Sequence, residues 1–267
     1  MLKSIVIGAS GRMGIRIIHA IHGTDGIELV GGVENQGHHA IGRDVGEVAG
    51  LNRMSIEIND DLSAIAHRGD VIIDFTHPSV SMNSLKIAAE NKVPIVIGTT
   101  GFSQEEIKEV ERLSQDTKCV LAPNMSVGVN LMFKVVADVA KILGDEYDME
   151  IVESHHRFKK DSPSGTAMKI AQILADTLKR NLEEVESYGR KGLIGERPQK
   201  EIGIHAVRAG DIVGEHTVVF GGLGERVEIT HKAHSRDNFA KGAVRAAKWI
   251  VHQENGLYDM QDVLGLK

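Results

Sequence analysis

Leu2-Lys-Ser-Ile-Val-Ile7-Gly8-Ala-Ser-Gly11-Arg-Met-Gly14 is the stretch whose reading decides the fold. Leu2 to Ile7 is a short apolar run that predicts a buried strand. Three glycines follow at G-x-x-G-x-x-G spacing. Ile15, Ile17, Ile18 and Ile21 then recur at the spacing of one helix face. A strand, a glycine turn and a helix make the first unit of a dinucleotide-binding fold. The glycines let backbone approach a pyrophosphate, which rests on the helix N-terminus. The spacing is not the commoner G-x-G-x-x-G, so the motif by itself also fits a tight turn in any α/β protein. Context favours the nucleotide. Ile27 to Val33 predicts a second strand, and Glu34 stands at its end, about 20 residues past the fingerprint, where a ribose-binding carboxylate belongs.

Outward from this unit the alternation continues. Strands are predicted at Val71–Phe75, Pro94–Ile97 and Cys119–Ala122, with helical spacing from Ser81 to Asn91 and a capping box at Ser103-Gln-Glu-Glu106. Strands alternating with helices predict a parallel, doubly wound sheet, whose ligands bind beyond the strand C-termini. Gly8–Gly14, Glu34, Thr76, Gly98–Gly101 and Ala122–Ser126 all fall at such ends. His77, before Pro78, reads as a turn residue.

The second half changes character. Asn130–Leu143 reads as an amphipathic helix, and Met149–Ser154 as a strand running into His155-His156. Side chains alternate along a strand, so the two histidines are expected to point to opposite faces and to play different roles. Thr166–Arg180 is a predicted helix. Ile202–Arg208, Thr217–Phe220 and Arg226–His231 are predicted strands of an open, partly antiparallel sheet whose outer face needs a cover, such as a partner subunit. Asn238–His252 is a closing helix.

Glu153-Ser-His-His-Arg-Phe-Lys-Lys-Asp-Ser-Pro-Ser-Gly-Thr166 gathers cations and proton donors just before a helix start, where an anion binds. A small acidic substrate is the natural occupant. A net charge of −6 argues against a nucleic-acid partner. No apolar run reaches the ~18–20 residues of a membrane span. With one cysteine, Cys119, no intrachain disulfide is possible, and a reducing cytoplasmic setting is the simplest expectation. Cys119 is also the one candidate nucleophile for a semialdehyde-dehydrogenase chemistry, but it sits in an apolar strand, where an inert thiol is expected. A dinucleotide-sensing regulator would need the first half without the proton donors of the second.

Taken in order, Gly8–Gly14, Asp74-Phe-Thr76, Gly98-Thr-Thr-Gly-Phe102, Asn124-Met-Ser-Val-Gly-Val-Asn130, Glu153–Ala167, Arg208-Ala-Gly-Asp-Ile-Val-Gly-Glu-His216 and Glu228–Ala233 closely resemble the dihydrodipicolinate (4-hydroxy-tetrahydrodipicolinate) reductase family over essentially the whole chain. The resemblance implies an α/β protein with a Rossmann-like dinucleotide-binding domain, residues 1–126 plus 236–267. It implies a second, α+β substrate-binding and oligomerisation domain with an open mixed sheet, residues 127–235. It implies NADH- or NADPH-dependent reduction of a cyclic dicarboxylate on the diaminopimelate route to lysine, in a cytoplasmic homotetramer. Carried over by position, His155 and Lys159 are catalytic, and His156, Gly165 and Thr166 bind substrate. Gly8, Ala9, Ser10, Gly11, Arg12, Met13, Glu34, Gly98, Thr99, Thr100, Ala122, Pro123, Asn124 and Met125 meet the cofactor, and no residue is assigned to a metal. Two positions depart from the pattern. Asn35 stands where many members carry a basic residue able to meet a 2′-phosphate, and Met125 stands where Phe is common. The first points to use of NADH at least as well as NADPH, by a modest margin because Arg12, and His38 or His39 if protonated, can partly offset the charge of Glu34.

Overall fold

The computed structural model describes residues 1–267. The chain divides into two compact units, Met1–Val127 with Asp237–Lys267, and Gly128–Arg236. No helix is long and apolar enough to cross a membrane.

In the first unit the elements run β1 (Leu2–Ile7), α1 (Arg12–His22), β2 (Ile27–Val33), α2 (Val45–Val48), β3 (Ile58–Asn59), α3 (Leu62–Ile65), β4 (Val71–Asp74), α4 (Pro78–Asn91), β5 (Ile95–Ile97), α5 (Gln104–Leu113) and β6 (Lys118–Leu121). The second unit follows with α6 (Val127–Leu143), β7 (Asp148–His155), α7 (Gly165–Thr177), α8 (Leu182–Val185), β8 (Glu186–Tyr188), β9 (Ile202–Arg208), β10 (Gly214–Gly221) and β11 (Arg226–Ala233). The chain then returns to the first unit as α9 (Asp237–Ile250), β12 (Gly256–Tyr258) and α10 (Met260–Leu264).

The first sheet has seven strands in the order β12-β6-β5-β4-β1-β2-β3, every pair parallel. Parallel strands are covered on both faces, so their sequences are apolar throughout rather than alternating. Val6 of β1 belongs to the apolar layer on one face of the sheet, which also holds residues of α1, α9 and α10, while Ile5 and Ile7 belong to the layer on the other face, with residues of α3, α4 and α5. The glycine turn depends on close backbone approach. A Cβ on Gly14 would lie 2.0 Å from the Gly8 carbonyl oxygen, so α1 could not seat against β1. Gly242 of α9 is held to the same demand by the carbonyl of Met125. Met125 is thereby a core residue, 1% exposed.

The second sheet is mixed, in the order β11-β10-β7-β9-β8. Strand β10 is antiparallel to both neighbours, and β9 is parallel to β7 and β8. The three late strands are therefore not consecutive neighbours: β7 lies between β9 and β10. The reason is the 209–213 connection, which steps over the C-terminal end of β7. Ala209 N donates to His155 O (2.9 Å), and Arg157 N donates to Gly210 O (3.1 Å). Met149, Ile151, Ile202, Ile204, Val218 and Phe220 turn inward onto α6 and α7. The short elements α2, β3, α3, α8, β8, β12 and α10 carry too few periodic positions to be read from pattern.

Gly14→Ala is expected to destabilise the first unit by about 1–3 kcal/mol, the usual range for overpacking. Denaturant unfolding of the variant measures this; an unchanged midpoint would show that α1 can shift away from β1 without loss.

Candidate active site

The first half-site lies at the C-terminal ends of β1, β2 and β4. Gly8 takes φ +66°, a left-handed conformation that glycine adopts without strain, and a Cβ there would also meet the Thr76 methyl at 2.8 Å. Gly8 N and Ala9 N donate to Val33 O, and Gly11 N closes the turn on Gly8 O (2.9 Å). The N-cap of α1 is Gly11, which has no side chain to occupy the first amides of the helix. Glu34 holds the turn from the end of β2. Its Oε1 accepts from Ser10 N (2.8 Å) and from Ser10 Oγ (2.6 Å). Beside it a cleft of about 160 Å³ is lined by Gly8, Glu34, Asn35, Asp60, Asp61 and Thr76 among others. It contains three carboxylates and no lysine or arginine; Arg12, His38 and His39 do not line it. The hydroxyl and amide of Ser63 hold the Asp61 carboxyl below its ordinary range, so it stays anionic.

Behind the cleft Asp74 is fully buried. Burial pushes its carboxyl upward, while the hydroxyls of Thr76 and Ser84 act against that. Thr76 donates its amide (2.9 Å) and hydroxyl (2.6 Å) to Asp74 Oδ1. Thr99 is buried in the same network, its Oγ1 accepting from Thr76 N (3.0 Å) and 2.7 Å from Ser81 Oγ. Gly98 makes room for the Phe75 ring, which would lie 2.2 Å from a Cβ. Thr100 and Pro123 are exposed, Ala122 is buried, and Asn124 Oδ1 accepts from Ser126 N (2.9 Å). Ala9 and Met13 pack into the core. Backbone that approaches closely, an open helix start and a strand-end carboxylate together fit a dinucleotide.

The second half-site is built where β7 ends. Glu153 follows Met149 and Ile151 at the inward parity and has no exposed surface. Its Oε2 accepts from His155 Nδ1 (2.6 Å) and Arg208 Nη1 (2.9 Å). Its Oε1 accepts from Arg208 Nη2 (2.8 Å) and Ser164 N (3.0 Å). Burial would raise this carboxyl, but the Arg208, His155 and Ser164 hydrogen bonds outweigh it and hold it low. His155 is shifted down, by burial first, against the pull of Glu153. The His155 ring meets His216 edge-on at 5.2 Å between centroids. His216 is 4% exposed, its Nε2 lies 3.0 Å from Ser164 Oγ, and burial lowers it to about 4.

Ser164 caps α7, its Oγ accepting from Ala167 N (3.2 Å), and Gly165 and Thr166 form the first turn. A Cβ on Gly165 would meet nothing within 4 Å, so open space adjoins the helix start. Lys159 Nζ is held by both carboxylate oxygens of Asp161 (2.8 and 2.7 Å). His156 lies just past the strand, and its buried Nδ1 takes no hydrogen bond from the protein. His155, Arg208 and the cap residue of α7 thus converge on the Glu153 carboxylate, while Lys159 on the loop between is held by Asp161. Glu153, Ser164, Arg208 and His216 were not assigned roles from sequence. The legible signal was parity: a glutamate at the inward position of a strand must find a partner. Cys119 is fully buried and its thiol is pushed up to about 12, which removes it as a nucleophile.

Comparison with known proteins gives the family. Residues 2–125 match the family model of dihydrodipicolinate reductase, N-terminus, and residues 128–264 match that of its C-terminus. Proteins described as 4-hydroxy-tetrahydrodipicolinate reductase in Syntrophus aciditrophicus, Geotalea uraniireducens and Geobacter sulfurreducens are 60%, 56% and 52% identical, each over 100% of both chains. A dipicolinate-bound dihydrodipicolinate reductase structure from Paenisporosarcina sp. TG-14 superposes with a TM-score of 0.76 at 26% identity, covering 98% of each chain. An aspartate semialdehyde dehydrogenase from Vibrio cholerae, at 12% identity and a TM-score of 0.59, shares the fold only.

Proposed function

Since the chain belongs to the dihydrodipicolinate reductase family, it is an oxidoreductase, and we propose that His155 and Lys159 carry its proton chemistry. The reaction is the NAD(P)H-dependent reduction of 4-hydroxy-tetrahydrodipicolinate to tetrahydrodipicolinate, a step of lysine biosynthesis by the diaminopimelate route. The reduced nicotinamide supplies a hydride; the protein supplies binding, orientation and charge. Water leaves the substrate, one ring carbon gains hydride, and its neighbour must gain a proton. Lys159 donates that proton from an ammonium otherwise held by Asp161. His156 and Lys159 neutralise one carboxylate of the substrate, and the first-turn amides at Gly165 and Thr166 hold the other. Two anchors fix the ring, and fixed geometry lowers the barrier. The observation that carries this reading is the open space at Gly165, at a helix start whose own cap is the Ser164 side chain, on the segment that carries His156 and Lys159 a few residues earlier.

The cofactor is held by the glycine turn at Gly8 to Met13, by Glu34, and by the strand ends at Gly98 to Thr100 and Ala122 to Met125. The setting we propose is cytoplasmic. The assembly we propose is a homotetramer built on the second sheet, with residues 127–235 as its substrate and assembly domain. What supports this is a sheet face, bearing Val152, Thr217 and Val219, on the side opposite α6 and α7, which no helix of its own unit covers. Leu193 and Ile194 stand exposed on the adjoining 189–201 loop.

Lys159→Ala is expected to lower kcat by ~10²–10⁴-fold and leave NADH binding nearly intact. His155→Gln is expected to act mainly on kcat and His156→Gln mainly on KM. Steady-state kinetics with NADH titrations decide it: near-normal turnover removes Lys159 from the mechanism, and one shared signature for the two histidines refutes their division of labour.

The cofactor cleft carries Glu34, Asp60 and Asp61 with neutral Asn35 and no lysine or arginine in its lining, so a 2′-phosphate would meet repulsion there. NADH is therefore expected to be used at least as well as NADPH, and Asn35→Arg to shift the ratio of kcat/KM values toward NADPH. A wild-type preference for NADPH of tenfold or more (~1.4 kcal/mol in transition-state terms) would contradict this reading.

Sedimentation of dilute protein is expected to show a tetramer; a clean monomer at working concentration would contradict the proposed assembly.

A further inference from the structure

Glu153 is the one carboxylate in the second unit with no exposed surface, and each of its oxygens accepts two hydrogen bonds. A carboxylate offers about four lone-pair sites, so none is left for a substrate or a proton in transit. Glu153 therefore does not act on the substrate itself. What it touches is the rest of the half-site. Through Oε2 it holds His155 Nδ1 (2.6 Å), which must be the protonated ring nitrogen facing an anion. Through Oε1 it holds Ser164 N, the cap residue of α7, one position before Gly165. Through Arg208 it reaches the loop between them, because Arg208 Nη2 also donates to Asp161 O (2.9 Å), and the Asp161 carboxylate holds Lys159.

We propose that Glu153 is a positioning residue for the reduction, its carboxylate fixing the tautomer and orientation of His155 and, with Arg208, locking that ring in register with the Lys159 loop and the first turn of α7. The assignment rests on the reading of His155 and Lys159 given above. The other edge of the ring lies against β10, where a Cβ on Gly214 would come 3.0 Å from His155 Nε2, so a glycine there leaves that edge its space. The charged and titratable groups facing His155 are Glu153 on β7, Arg208 on β9, His216 on β10 and Lys159 on the loop. Of these only Glu153 favours the imidazolium. Arg208 and Lys159 oppose it as like charges, and Arg208 shares the carboxylate.

The opposed signs give the test. In the full-length protein, the His155 imidazole is titrated by ¹⁵N NMR in wild type, Glu153→Gln and Arg208→Gln, alongside steady-state kinetics and NADH binding. Wild type is expected to show the Nδ1–H tautomer. In Glu153→Gln the His155 pKa is expected to fall by about one unit, with kcat down about tenfold or more and the NADH Kd within about twofold. In Arg208→Gln it is expected to rise, because a repelling cation is gone and the carboxylate is no longer shared. A residue that merely fills the interior would move both titrations the same way or neither, and that result overturns the proposal. If Glu153→Gln does not fold, Arg208→Gln decides by itself: an unmoved or lowered His155 pKa overturns it. Full turnover by His155→Gln with both titration shifts intact would instead overturn the catalytic reading of His155 and leave the positioning geometry standing.

Discussion

The buried Glu153 carboxylate is the constraint on which the arrangement of the second unit's strand ends depends. An anion without solvent contact is tolerated only when its lone pairs are filled, and removing one partner of such a pair typically costs several kcal/mol. Here the partners are Arg208 on a neighbouring strand, His155 two residues along the same strand, and the amide of Ser164 at a helix start. Satisfying one charge therefore brings three separate segments to fixed positions. The order of the sheet follows the same logic. Strand β7 lies between β9 and β10, so Arg208 arrives from one side and His216 from the other.

The first unit repeats the device with a different payload. Glu34 ends β2 and takes both the amide and the hydroxyl of Ser10, just before α1 begins. In both units a strand-end carboxylate pins the residues before a helix. Pinning the entry leaves first-turn amides without intrahelical partners, the kind of groups that can receive an anion. In the first unit those amides suit a pyrophosphate, and in the second a substrate carboxylate. The difference lies in the surroundings. The first cleft is lined by Glu34, Asp60 and Asp61, which discourages a further negative charge there. The second is supplied with His156 and Lys159.

The outer face of the second sheet has a third carboxylate hub. Glu150 accepts from Arg190, from Arg197 (2.8 Å) and from His205 (2.7 Å). Burial would raise it, but these hydrogen bonds hold it at about 2. Gly203 opposite makes this possible, since a Cβ there would fall 1.7 Å from Glu150 Oε2. Arg197 also ties the 189–201 loop to Met149 O and braces it internally at Glu201 O. A loop with little regular structure is thus laid along the sheet by charge pairing rather than by apolar burial, which leaves Leu193 and Ile194 on its surface.

The sequence by itself determined the layered α/β plan, the glycine turn with Glu34, and the cluster of His155, His156, Lys159, Gly165 and Thr166. Each is local: a period of apolar residues, a run of glycines, or residues a few positions apart beside a helix start. Gly14 is legible because helix and strand are adjacent in the chain. The tertiary structure decided what local pattern cannot encode. It put β7 between β9 and β10, joined Arg208 to Glu153 across 55 positions, and committed Thr99 to a buried hydroxyl network. It also turned Glu34 onto Ser10 and placed Asp60 and Asp61 beside it. These contacts join residues remote in sequence, and their partners are chosen by which strands pair and which charges are left buried when they do. Neither quantity exists until the sheets have closed.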